Sequence, residues 1–394
     1  MLTLNEHQQS APVQLTVGQQ EMLRELFRAS ISPAVDGNVR VTPGARVGAV
    51  VLGGDHIVVE PKVSLPRIVH MLTVAAHPMD WRTAEVSGLR ANTIEDAVVQ
   101  LFARSCQRAF AAGVYRSYRT EEQRLSFVRG RIRMSDYIRD PRPLPIPVTA
   151  TVHDEDVAEN QVLAAAVRKL RLLPGLPSGT RSELTRIWQV VGETTPLGAE
   201  AALERCRRIV WSRHNSHYRA AVRLAELILS SLSLEVAAGQ VQVPGFILDM
   251  PGIVEQYIRV LVREALGASD QDMRDSWKGA LWLDEGHAVQ LIPDLGLRRA
   301  GRWHFVGDVK YKVNAGAEED AGSGRRDDLY QLLAYVTETG LDEGTLIYAG
   351  DRAGEVVHTV RGTGARLRVV TVDLSSADCD GQVKRAVATS QLLG

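Results

Sequence analysis

Element order after Pro244 decides the architecture of the C-terminal part of this chain. Helical spacing over 253–266 is followed by strand-like runs over 278–283, 288–297 and 303–311, then helical spacing over 326–339 and apolar runs at 345–348 and 367–372. Apolar residues recurring every three to four positions mark one face of a helix, and short apolar or alternating runs mark strands. Helix, three strands, helix, strand, strand is an α/β order, so the expectation is a mixed sheet flanked by helices.

The preceding sequence reads differently. Met22, Leu23, Leu26 and Phe27 share a helix face within 18–30, and runs over 46–52 and 56–60 flank a Gly53-Gly54-Asp55 hairpin turn. Asn92 and Thr93 are capping residues for a helix from Ile94 to about Tyr115. Strand signals return over 124–134. Pro141, Pro143, Pro145 and Pro147 then interrupt any helix or central strand and are taken as a domain boundary. Helical patterns follow over 156–173, 182–191, 200–211 and 218–238. The expected organisation is therefore an N-terminal β-rich domain (1–145), a helical middle layer (146–245) and an α/β core (246–394). The segment 314–324, NAGAEEDAGSG, reads as a loop.

Composition narrows the function classes. An apolar fraction of 45% over 394 residues fills the cores of two or three globular domains. No stretch approaches the roughly 20 apolar residues of a membrane span, and the polar start lacks a signal-peptide run, so a soluble, cytoplasmic protein is expected. Cys106, Cys206 and Cys379 lie far apart and form neither a metal-binding nor a disulfide pattern. A net charge of −1 leaves nucleic acid open as a partner, because the basic residues are nearly all arginine, the side chain suited to bidentate phosphate contacts. Lysine is rare, and two of its six occurrences, Lys310 and Lys312, sit two positions apart.

That pair marks the chemistry. Pro293-Asp294 ends one strand-like run and Gly307-Asp308-Val309-Lys310 lies in the next, so neighbouring strands can bring both carboxylates to one point. Strand alternation sets Asp308, Lys310 and Lys312 on one face and Val309 and Tyr311 on the other. Two carboxylates and few other protein ligands suit Mg²⁺, which keeps several waters and so has room for a phosphate oxygen. Such an ion activates water and offsets charge on phosphorus oxygens, with Lys310 beside it to stabilise the transition state. The arrangement matches the PD…(D/E)XK nuclease signature. As an isolated pattern it also fits two solvent-facing charges on strands.

The surroundings extend the match. Asp308-Val309-Lys310-Tyr311-Lys312, followed by Asp328-Leu329-Tyr330-Gln331-Leu332-Leu333-Ala334-Tyr335, resembles the catalytic strand and YQ-bearing helix of the McrC family, the endonuclease partners of McrB GTPases. Phe127-Val128-Arg129-Gly130-Arg131-Ile132, the stretch from Asp154 through Leu163, and the hairpin ending in Glu60-Pro61-Lys62 are similar to McrC segments in the same order. The resemblance implies a restriction-endonuclease-like C-terminal core that cuts modified double-stranded DNA with Mg²⁺. It further implies Asp294, Asp308 and Glu255 as metal ligands, Lys310 as the catalytic lysine, Gln331 beside them, and an McrB-like AAA+ GTPase ring engaged by residues before about 140. Self-association for double-strand cleavage is left open. So are two rival functions: an inactive scaffold that stimulates the partner GTPase, and a stand-alone repair nuclease.

Other readings carry alternatives. Glu255, Arg259 and Arg263 are four apart and also fit a surface charge ladder. Lys312 is either a phosphate contact or a solvated strand residue, and Tyr335 packs against the sheet. Arg129, Arg131 and Arg133 give one basic face of a strand, for DNA, an acidic partner or solvent. The run Arg205, Arg207, Arg208, Arg213, Arg219 and Arg223 suggests a phosphate track, with Arg207, Arg208 and Arg213 as DNA contacts. His214 and His217 lack the companions of a zinc site and are assigned to packing or capping. No GxxxxGK[ST] loop occurs, so any nucleotide-driven step falls to another polypeptide.

Overall fold

The computed structural model describes residues 1–52, 54–76, 91, 93–173, 175–231, 245–311 and 323–388. It is a mixed α/β protein whose contacts divide into two compact units, 1–88 with 247–394 and 89–246. Three consecutive domains had been expected. The change near 245 coincides with a unit boundary, but the proline-rich stretch at 141–147 lies inside the second unit and 1–145 is shared between the two. Pro147 is the second residue of a strand, Ile146–Asp154, and its carbonyl still accepts from Arg133 N–H at 2.9 Å. A proline at the start of a strand costs only a donor, so the segment continues into the sheet.

In the first unit, strands Arg46–Leu52 and Asp55–Glu60 form the expected antiparallel hairpin, and strand Leu2–Asn5 adds in parallel to Asp55–Glu60. The helix Val17–Phe27 starts with a capping box, Thr16 and Gln19 bonding each other's backbone N–H at 3.2 and 3.0 Å. Helices Leu65–Ala76 and Met250–Ala265 pack together.

The five-stranded sheet of this unit runs in the order Leu295–Arg299, Arg302–Tyr311, Glu343–Gly350, Arg366–Asp373, Gly354–Thr359. The central pairings, Arg302–Tyr311 with Glu343–Gly350 and Glu343–Gly350 with Arg366–Asp373, are parallel; the two outer ones are antiparallel. Helix Ser323–Thr339 makes the crossover between the first parallel pair and buries Leu332, Tyr335 and Val336 against Val306, Leu346, Tyr348 and Leu367. Helix Cys379–Ala388 packs on Met250–Ala265 and on the strand Arg366–Asp373.

The second unit contains helices Ile94–Phe110, Ala158–Leu170, Ser178–Val191, Ala199–Arg207 and Arg219–Ser231 beside a three-stranded sheet. In that sheet Ile146–Asp154 lies between Ser117–Leu125 and the short strand Arg131–Ile132. The single strand expected over 124–134 is therefore broken, and with it the arginine face. Arg133 ion-pairs with Glu122 at 2.8 Å and Asp136 at 2.5 Å, while Arg129 reaches the Thr151 carbonyl at 3.3 Å. Among the described residues no helix is long and apolar enough to cross a membrane.

Candidate active site

The antiparallel pairing of Leu295–Arg299 with Arg302–Tyr311 sets Leu295 opposite Gly307, so Asp294 arrives beside Asp308. One Asp294 carboxylate oxygen accepts from Val309 N–H at 2.9 Å, which locks its position on the neighbouring strand. Gly307 is required here: a Cβ would lie 2.5 Å from the Thr345 carbonyl oxygen, the neighbour across the parallel pair. Asp308 and Lys310 share the strand face of buried Val306, the face covered by helix Ser323–Thr339. Val309 and Phe305 are buried on the other side.

Electrostatics define the centre. Asp308 is 1% exposed and forms an ion pair with Lys310. Burial, reinforced by the nearby Asp294 carboxylate and opposed by Lys310, pushes the Asp308 carboxyl up to about 7. Burial pulls the Lys310 ammonium down, but Asp308, Asp294 and Asp328 together outweigh it and hold the charge on.

Glu255 lies within electrostatic reach. Burial and then Asp294 raise its carboxyl, while Arg259 and Lys310 oppose them. Its carboxylate pairs with Arg259 one turn along the same helix, as the ladder reading anticipated. Arg259 is itself buried and donates from Nε to the Asp294 carbonyl at 3.1 Å, so it links the helix to the acidic strand end. Gln331 and Tyr335 act from the opposite helix. Gln331 Nε2 donates to the Tyr335 hydroxyl at 2.7 Å, and that hydroxyl donates to the Ile292 carbonyl at 3.0 Å, two residues before Asp294.

Sequence reasoning passed over two parts of this shell. Arg259 was seen only as a ladder member: its same-face neighbours Glu255, Gln256 and Arg263 are polar and gave no signal that it is buried. Asp328, which accepts from the Tyr348 hydroxyl and helps keep Lys310 charged, carried no signal beyond the resemblance motif. Lys312 lies outside the described residues, as does most of the loop read over 314–324.

Among the described residues no group of three or more His, Cys, Asp or Glu stands ready to hold a metal. Asp294 and Asp308 nevertheless fit a magnesium ion that takes one or two carboxylates and otherwise keeps water or phosphate oxygens. The observation behind that fit is the Asp308 carboxyl, raised by burial and by the neighbouring Asp294 charge.

In the second unit Arg207, Arg208 and Arg213 are exposed. Arg207 ends the helix Ala199–Arg207 and Arg208 pairs with Glu204 at 2.5 Å. The longer basic run does not form one face, since Arg219 is half-buried over the Trp211 ring, at 5.3 Å from its centroid, and Arg223 is also half-buried. His217 packs edge-on against Tyr218, with ring centroids 4.9 Å apart.

Fold and site together define an α/β protein whose centre sets two carboxylates and a lysine on neighbouring strands of a mixed sheet. The chain belongs to the family described as McrBC 5-methylcytosine restriction system component, whose model matches residues 41–349. A comparison with curated protein sequences finds no match. Among solved structures, the chain is similar to one in a refined half-complex from the tetradecameric assembly of Thermococcus gammatolerans McrB AAA+ hexamers with bound McrC. Identity there is 18%, with 98% of this chain and 99% of that chain covered, at a TM-score of 0.51. A second similar chain, from the Thermococcus gammatolerans McrBC complex, is 19% identical, covering 67% of this chain and 88% of that one at a TM-score of 0.43.

Proposed function

We propose that this chain is the Mg²⁺-dependent DNA endonuclease subunit of a modification-dependent restriction system, working with an McrB-like AAA+ GTPase ring. The observation that carries the reading is the meeting of Asp294, Asp308 and Lys310 at one strand junction, with Asp308 buried and pushed up to about 7. Asp294 and Asp308 would hold the ion, with Glu255 as a further carboxylate within reach. When bound, Mg²⁺ supplies a more acidic water and offsets charge on the scissile phosphate. Lys310, whose ammonium now rests on Asp308, turns to the phosphate oxygens once that carboxylate is engaged elsewhere. Tyr335 and Arg259 fix the backbone on either side of Asp294, and Gln331 is held through Tyr335.

Support for the partner comes from the family and from the second unit. Phe127, Val128, Met134, Ile138 and Leu144 are all exposed between 127 and 144, apolar side chains available to a protein partner. The solved relative is itself bound to McrB AAA+ hexamers.

The test combines the purified chain, its McrB-like GTPase, GTP and Mg²⁺ with methylated and unmethylated plasmid. Asp294→Ala, Asp308→Ala and Lys310→Ala should each abolish cutting of the methylated plasmid while the complex still assembles. Cutting that survives these substitutions refutes the nuclease assignment. An intact GTPase stimulation with no Mg²⁺-dependent nicking in the wild type would make the chain a scaffold instead.

A further inference from the structure

The second unit contains a cleft of about 530 Å³, within the range of small-ligand sites, that plays no part in the nuclease centre. Its walls include Tyr115 and Tyr118, its deeper residues Glu159, Gln161 and Asn215, and its rim Arg205. Gln161 is 5% exposed and its amide oxygen has no hydrogen-bond partner, while its amide nitrogen is fixed on Asp156 at 2.8 Å. A buried, oriented acceptor without a donor is costly unless something supplies one. Glu159, also 5% exposed, adds a carboxylate that receives the Asn215 amide at 2.7 Å on one oxygen.

The chemistry of the walls narrows the ligand. Tyr118 is 74% exposed, with one side near His153 at 4.6 Å between ring centroids, so an aromatic surface stands open at the mouth. Arg119 is held by Asp154, Glu121 and Asp156 together, which neutralises much of the acidic charge there. The remaining features are acceptors inside, a ring at the entrance, and Arg205 exposed at the rim, two positions before the exposed Arg207 and Arg208. An acceptor-lined interior disfavours a bare anion, and Arg119 already occupies the place of a cationic side chain among the acids. A planar base carrying an exocyclic amine, attached to a phosphate, satisfies all three parts: the amine donates inside, the ring stacks and the phosphate meets arginine.

We propose that this cleft binds a nucleotide whose base carries an exocyclic amino group, as cytosine and adenine do. The ligand is a free nucleotide or an unpaired nucleotide within a DNA strand; the shared recognition chemistry is the amine, the ring face and the phosphate. Binding is separate from cutting and needs no divalent cation.

The experiment uses the full chain in EDTA and follows anisotropy of labelled single-stranded oligonucleotides. Oligo-dC and oligo-dA should bind about tenfold more tightly than oligo-dT, which lacks the amine. Tyr118→Ala, at an exposed position, should weaken oligo-dC binding about tenfold, and Gln161→Leu should erase the dC-over-dT preference. Displacement of oligo-dC by dCMP identifies a free nucleotide as sufficient, whereas strand binding that dCMP does not displace identifies a nucleotide within DNA. Equal affinity for oligo-dC and oligo-dT, or an affinity indifferent to Tyr118→Ala, overturns the proposal. So does an arginine-bearing peptide that binds the wild type but not Tyr118→Ala while oligonucleotide binding is unchanged.

Discussion

Asp308→Asn separates the stability of the acidic centre from its activity. Asp308 is 1% exposed, and burial with the Asp294 charge moves its carboxyl from 3.8 to about 7. At 1.36 kcal/mol per pH unit this corresponds to roughly 4 kcal/mol opposing its ionised form in the cation-free fold. Asparagine nearly preserves the shape and carries no charge to desolvate. The attraction of Lys310 is already contained in that net figure, so losing its ion pair subtracts nothing further. The variant should therefore be more stable by about 4 kcal/mol at pH 8, a rise of about 2–4 °C in Tm per kcal/mol, while cutting is lost. The sign follows from the raised carboxyl: the wild type keeps its full stability below about pH 4 and loses this contribution as pH rises through 7. Melting both proteins in EDTA between pH 4 and 8.5 should show curves that coincide at the acid end and diverge upward. An Asp308→Asn protein that is less stable at pH 8, or a gap that ignores pH, refutes the reasoning. Mg²⁺ should raise the wild-type Tm and leave the variant's unchanged.

Other substitutions probe the supports of this centre. Tyr335→Phe removes the donor to the Ile292 carbonyl and the acceptor for Gln331; it should cost about 1–3 kcal/mol in urea unfolding and slow cutting without weakening partner binding. Gly307→Ala drives a methyl against the Thr345 carbonyl oxygen, 2.5 Å away, and should lower stability by about 1–3 kcal/mol with loss of cutting. Asp380 collects the Tyr257 hydroxyl at 2.6 Å, His70 at 3.0 Å and Arg67 at 3.3 Å, donors that overcome burial and hold its carboxyl well below the usual range. Its contribution is present above about pH 4 and lost as pH falls, so Asp380→Asn should cost about 2 kcal/mol at pH 7, a figure reduced for partial exposure, with the difference closing in acid.

The elements that sequence revealed are those whose side chains bury in a regular pattern. Arg46–Leu52, Met250–Ala265 and Arg302–Tyr311 all place apolar residues at the spacing of their secondary structure, and each was readable to within a few residues. Strand Gly354–Thr359 was not, because it is an edge strand with nearly every residue exposed and so has no burial pattern to display. Strand Ile146–Asp154 was hidden by Pro147, whose effect depends on whether that position must donate a hydrogen bond, a fact of pairing rather than of sequence. Asp294, Asp308 and Lys310 were legible because two adjacent strands bring them together. Arg259 and Tyr335 were less so: their polar ends act on backbone carbonyls thirty-five and forty-three positions away, and no local spacing encodes that.

Long-range fixing of this kind reaches the motif strand itself. Tyr311 closes the strand that carries Asp308 and Lys310, and its hydroxyl donates to Glu6 at 3.1 Å, across 305 positions. Glu6 is fully buried, just after the strand Leu2–Asn5, and its other anchor is Lys62 N–H at 3.1 Å. A buried carboxyl held by two donors is expensive to strip, since each lost partner leaves the desolvation uncompensated. The end of the strand that carries Asp308 and Lys310 is thus set by the beginning of the chain. This accounts physically for the grouping of 1–88 with 247–394 in one unit, and it means that the carboxylate–lysine centre is a property of that assembled unit rather than of a C-terminal segment alone.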